Sequence, residues 1–156
     1  MIELEMVGVR VEMPSNQPIA LLKAKAGEKY LPIWIGAAEA TAIALAQQGV
    51  TPPRPLTHDL ALSLIETFEG KMANISIDSL ESGVFKASLN FVAGQRIDCR
   101  PSDAIVIALK LEIPIFCKEE VMEAAAIDVP DDQEKAVDQF RQFLDEVNPE
   151  DFGSPS

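Results

Sequence analysis

Ala26-Gly27-Glu28-Lys29 and Ala93-Gly94-Gln95-Arg96 are chemically matched turns set 67 residues apart, and how they are read decides the fold. After the first, Tyr30–Ile35 reads as a strand that Gly36 ends. Residues 37–48 then read as an Ala-rich helix stopped by Gly49. After the second turn, a short strand ends near Cys99. Pro101 and Ser102 open a helix to about Leu111, proline suiting a first helical turn. Downstream of the turns, an offset of 64 aligns Ile33 with Ile97, Ala40 with Ala104, and Ile43-Ala44-Leu45 with Ile107-Ala108-Leu109. Glu39 falls on Asp103, and the third strand of the first half is about three residues longer. Ala- and Ile-rich helices also resemble one another by chance, but shared landmarks in the same order favour an internal duplication.

The flanking residues fit that plan. Partial alternation over 2–13 (Leu4, Met6, Val9, Val11) predicts a long strand, with Gly8 at a bulge or bend. Pro14–Pro18 turns the chain into a strand over Ile19–Ala24. Pro52, Pro53 and Pro55 enforce an extended connection, and Thr57 is expected to cap a helix running to about Glu69. Leu60, Leu64, Ile65 and Phe68 form its apolar face. Strands over 71–80 and 84–92 follow, joined at Ser82-Gly83, with Phe85, Ala87, Leu89 and Phe91 on one face. Pro114–Cys117 is short and extended, and a helix covers about 118–125. The fold class is therefore α+β: a duplicated three-strand, two-helix unit, with repeats about 1–69 and 70–128. Residues 129–156 are set apart as an acidic C-terminal helix and tail. Val137, Phe140, Phe143, Leu144 and Val147 form an amphipathic stripe over 131–147, expected to dock on the body or on a second copy, and 148–156 read as a frayed end.

Composition narrows the function classes. The 156 residues are 47% apolar and 24% charged, which describes a globular chain and not a disordered one. Only Cys99 and Cys117 could pair, so this is no disulfide scaffold; both lie in apolar segments and are expected to be buried and inert. No apolar run reaches the ~18 residues of a membrane span. The N-terminus shows no secretory pattern, so a cytoplasmic protein without membrane association is expected. The net charge of −12 is uneven. Residues 1–118 carry 13 acidic and 11 basic side chains, whereas 119–156 carry 12 and 2. A nearly neutral body does not exclude nucleic acid, but it argues against a strong sequence-independent grip on phosphates. Phosphate loops, Cys-x-x-Cys pairs, histidine pairs and the nucleophile elbow are all missing, which removes zinc, dinucleotide and serine-hydrolase chemistry from the expectations.

Three clusters carry candidate chemistry. His58, the single histidine, precedes Asp59 at a helix start and can serve as a proton carrier near neutral pH. Neighbours on a helix do not face each other, so Asp59 need not orient it, and a surface His beside a helix-capping pair explains the same residues. Asp98-Cys99-Arg100-Pro101-Ser102-Asp103 places two carboxylates and an arginine around a helix start, where anions and metals are commonly held. Arg100 can fork onto a phosphate, and Asp98 and Asp103 can hold a hard cation such as Mg²⁺. Capping by Ser102 and Asp103 with a local Arg100 ion pair is the plainer account. Glu39, behind Trp34-Ile35-Gly36, becomes the pseudo-equivalent of Asp103 if the duplication is real.

The runs Leu31-Pro32-Ile33-Trp34-Ile35-Gly36 with Glu39-Ala40, Pro55-Leu56-Thr57-His58-Asp59-Leu60, and Arg100-Pro101-Ser102-Asp103-Ala104-Ile105 together resemble the bifunctional nuclease domain family over about residues 1–128. Asn148-Pro149-Glu150-Asp151-Phe152 is similar to the tail of bacterial members. The resemblance implies a duplicated fold and activity on DNA and RNA. Lys86 departs from the aromatic often found after Phe85, which would weaken base stacking. The expectation is a metal-assisted nuclease. Its catalytic candidates are His58, Asp59, Glu39 and Asp103. Arg100, Arg54 and Ser102 would bind substrate, and Glu39, Asp103 and Asp98 would hold Mg²⁺ or Mn²⁺. A non-catalytic regulatory or anion-binding module is the alternative, favoured by the lack of a basic stripe. A homodimer is also expected, from the exposed strands and the tail stripe.

Overall fold

The computed structural model describes residues 1–128, so the expected helix over 131–147 and the acidic tail lie outside the described residues. Strands β1 (Ile2–Glu12), β2 (Gln17–Ala24) and β3 (Tyr30–Trp34) are followed by helices α1 (Ala37–Gln48) and α2 (Thr57–Thr67). Strands β4 (Met72–Glu81), β5 (Val84–Phe91) and β6 (Arg96–Cys99) lead into α3 (Pro101–Leu111), then β7 (Ile115–Cys117) and α4 (Glu119–Ala125). One seven-stranded sheet results, in the order β3-β2-β1-β7-β4-β5-β6. Two antiparallel three-stranded units thus flank β7, which runs antiparallel to β1 and parallel to β4. The α+β class is as the sequence implies. The proposed duplication would make each flanking unit one repeat, with β7 added at the centre.

Local chemistry explains the elements. The register of β1 on β2 shifts between Met6 and Gly8, at the bend expected there. Helix α1 ends at Gly49, whose φ of 70° is a left-handed conformation that glycine adopts without a Cβ penalty. Its N–H donates to Ala46 O, and that of Val50 to Leu45 O. Ser82 and Gly83, both at positive φ, turn β4 into β5. Pro101 occupies the first position of α3, where its missing N–H costs nothing.

The core lies on the helix side of the sheet. Leu4, Val9, Ala20, Leu22, Ile33, Ile75, Ile77 and Ile115 meet Ile43 of α1 and Ile105 and Val106 of α3. Small residues, Ala40 and Ala44 opposite Ala104 and Ala108, let α1 and α3 approach closely. The sheet's other face carries a polar network on β4 and β5. Ser76 and Ser88 donate to Asp78 at 2.8 and 2.5 Å, and Arg96 approaches the same carboxylate at 3.2 Å.

Two sequence expectations need correction. Thr57 is the first residue of α2 and not its cap. Leu56 holds the cap position, and its N–H donates to Asp59 at 2.9 Å, so the capping interaction runs backward from the third helical residue. The apolar stripe of α2 does not enter the core. No residue of this helix is buried, and Leu60, Leu64 and Phe68 are 55%, 51% and 79% exposed. Periodicity reports that a helix has an apolar side; it does not report what that side meets.

Candidate active site

Three carboxylates occupy the same place in three different helices. Glu39 is the third residue of α1, Asp59 of α2 and Asp103 of α3. A carboxylate is favoured there, because the first-turn N–H groups are unpaired and the helix dipole is positive. Two of the three converge. Arg100, the residue before α3, donates from Nε to Asp103 Oδ2 at 2.8 Å and from Nη2 to Asp103 Oδ1 at 3.0 Å. Its Nη1 reaches across to Glu39 Oε1 at 2.9 Å, spanning 61 residues of sequence. The imidazole of His58 joins the same group, with Nε2 2.8 Å from Asp103 Oδ1. The starts of α1, α2 and α3 therefore meet around one arginine.

The electrostatics follow from the contacts. Burial pushes Asp103 up, but the hydrogen bonds and charges of Arg100 and His58 outweigh it and hold the carboxyl below its ordinary value. Glu39 is lowered by its own backbone N–H and then by Arg100. Arg100 is raised further, by Asp103 first and Glu39 second. With a neutral imidazole the four side chains sum to one negative charge, and with an imidazolium to zero. Arginine has five N–H donors. Three are spent here, so two remain on a guanidinium that is 62% exposed.

Gly36 leaves room for the Glu39 side chain. A Cβ on Gly36 would collide with the Glu39 carboxylate, which folds back over this turn. A cavity of about 450 Å³ opens at this point, lined by Trp34, Glu39, Val84, Phe85, Arg100 and Ser102. Trp34, half exposed at the end of β3, offers a flat apolar wall beside the charged groups. A larger cavity of about 540 Å³ lies elsewhere, between the N-terminus, the β2–β3 turn and α4, and contains none of these groups.

Not every expected residue joins. Asp59 faces Lys110 of α3 at 2.8 Å and the Leu56 N–H, so it ties α2 to α3 and does not orient His58. Burial pushes Asp59 up, and the Lys110 and Leu56 bonds bring it below its ordinary value. Ser102 lines the cavity and is nearly buried. Arg54 is exposed in the proline-rich connection, outside the charged cluster. Asp98 pairs with Ser88 across β5 and β6, on the face away from the helices, and shares no bond with Asp103. Among the described residues no three His, Cys, Asp or Glu side chains converge as a cation site. Cys99 and Cys117 are unpaired, and burial pushes both thiols up to about 12. Sequence reading missed Lys110, which sits 51 residues from its partner. The sequence gives Trp34 a place in a motif but no role; its position at the end of a strand, two residues before Gly36, is the available signal.

The fold is thus an α+β domain in which three helix starts gather around an arginine, a histidine and two carboxylates. Residues 20–130 match the bifunctional nuclease domain, and the chain belongs to that family. It is similar to an uncharacterized protein of Mycobacterium tuberculosis, found in strains CDC 1551 and H37Rv. The identity is 45% over 159 residues, covering 96% of this chain and 97% of the relative. The family points to a nuclease-like or nucleic-acid-binding role. Among the described residues no helix is long and apolar enough to cross a membrane.

Proposed function

We propose that the chain hydrolyses phosphodiester bonds in DNA or RNA at the Glu39–Arg100–Asp103–His58 cluster. The observation that carries this reading is the 2.8 Å contact of His58 Nε2 with an Asp103 carboxylate already forked by Arg100. A carboxylate at Nε2 favours the tautomer protonated there, leaving the Nδ1 lone pair to take a proton from water. The two free N–H donors of Arg100 offer a fork to a phosphate, where negative charge grows during displacement. Trp34 gives a base or sugar a stacking surface at the cavity mouth.

The metal-assisted form of this proposal assigns Mg²⁺ or Mn²⁺ to Glu39 and Asp103, whose hard oxygen donors suit such ions and would supply an activated water. Both Asp103 oxygens are already bonded to His58 and Arg100, so Arg100 would first have to release them.

A second reading rests on the same ion pairs. Arg100 already bridges two carboxylates, as in a structural clasp, and a regulatory module that binds a small anion through its two remaining N–H groups needs no more than this. The purified chain, offered single- and double-stranded DNA and RNA with and without chelator, decides between them. The nuclease reading expects turnover that falls by about 10²–10⁴-fold in His58→Ala, the usual worth of a general acid–base group. Sensitivity to chelator supports the metal-assisted form, and insensitivity the metal-free one. Turnover unchanged in both His58→Ala and Asp103→Ala belongs to another site and favours the clasp.

A further inference from the structure

We infer that the outer face of α2, together with the free edge at β6, is the surface on which a second copy of this chain docks. Helix α2 carries Leu60, Leu64 and Phe68 in one line at i, i+4 and i+8, all half exposed or more. The line continues past the helix. Phe68, Phe91, Val92 and Ile97 border one groove of about 420 Å³, and Val92 and Ile97 are 69% and 49% exposed. Scattered apolar side chains are normal on a surface; a contiguous helix face running into a groove marks an interaction site.

Three observations favour a second copy as the occupant. Glu69 and Lys71 stand at the same groove, opposite in charge, with no ion pair among the described residues. A two-fold axis through the groove sets Glu69 of one copy against Lys71 of the other, the self-complementary arrangement of an isologous contact. The two sheet edges also differ. The edge at β3 is partly closed, since Tyr30 and Ile127 exchange backbone hydrogen bonds at 2.9 and 2.8 Å. The edge at β6 pairs with nothing among the described residues beyond β5, and an open strand edge is a template for another chain. Finally, α2 is held to the body lightly, by His58–Asp103, Asp59–Lys110 and the partly buried Leu62, and none of its residues is fully buried. A partner packed on its outer face would supply the missing contact and steady the helix that presents His58.

The mass of the full chain in solution, followed by light scattering across a wide dilution series, tests this. The expected mass is twice the 17.0 kDa of one chain. Phe68→Asp should shift it to the single-chain mass. Glu69→Lys alone and Lys71→Glu alone should each weaken the dimer, since like charges then meet across the axis. The double exchange should restore it. All three positions are exposed, so the charge exchanges test the contact even if Phe68→Asp perturbs folding. A wild-type chain that stays single, or a dimer indifferent to all four variants, overturns the proposal. In the first case the amphipathic stripe at Val137–Val147 becomes the rival occupant.

Discussion

Helices α2 and α3 both bring a side chain to the same cluster, but they are held in opposite ways. Seven residues of α3 are buried, from Pro101 through Ala108, and it packs on α1, β4 and β5. Helix α2 has no fully buried residue; Leu62 packs partly buried on the core, and polar bonds fasten the first turn. The contrast assigns labour. Helix α3 is scaffold: it fixes Asp103, and through it Arg100, to a packed core. Helix α2 is a lightly packed arm, so His58 leans on the polar bonds of the first turn and Asp103 on a packed core.

The sharpest way to break this comparison is to cut the same chemistry from each helix. Ile105→Ala on α3 should cost about 2–5 kcal/mol, the usual range for emptying a buried site. Leu64→Ala on α2 should fall within about 0.5 kcal/mol in the single-chain state, as surface changes do. Urea unfolding of both variants at low concentration reads the difference, and equal losses would mean that α2 is no appendage. A smaller effect follows from cutting the polar fastening. Asp103→Asn weakens the Arg100 fork and the His58 bond, and should cost about 1.5–3 kcal/mol, as hydrogen bonds to charged groups do. Hydrogen exchange should show α2 loosening more than α3.

The smallest effect is a pH dependence. Asp103, Glu39 and Asp59 all lie below their ordinary values in the folded chain. Their contribution is complete above the unfolded carboxylate range, near pH ~4, and is lost as pH falls through the lower folded values. Acid should therefore destabilise the wild type more steeply than Asp103→Asn, which has already given up one of the three. Parallel curves in acid titrations of the two proteins would contradict the assignment.

Much of α3 could be read from sequence because its determinants are local. Proline at its first position and an unbroken apolar run from Ala104 to Leu109 specify its start and its burial together, whereas the expected capping by Ser102 and Asp103 is not made: Arg100 holds the cap position with no side-chain cap bond. Glu39 and Asp103 were paired through the matched turns, and they do share Arg100. The fate of α2 was not legible. Its Leu60–Leu64–Phe68 line looks like any core-facing stripe, because periodicity carries no information about partners. Asp98, only two residues before Arg100, was grouped with Asp103 by proximity. Strand alternation turns it to the opposite face, in register with Ser88. Lys110 on Asp59 was invisible because ion pairs between distant elements leave no spacing in the sequence.

The central claim is that His58 is bonded through Nε2 to Asp103. The chain has one histidine, so its imidazole nitrogens give an unambiguous NMR signature. The account predicts that the neutral imidazole is the Nε2–H tautomer, with Nδ1 unprotonated, and a clear change of both nitrogens in Asp103→Asn. An Nδ1–H tautomer in the wild type, or nitrogens that ignore the substitution, would contradict it.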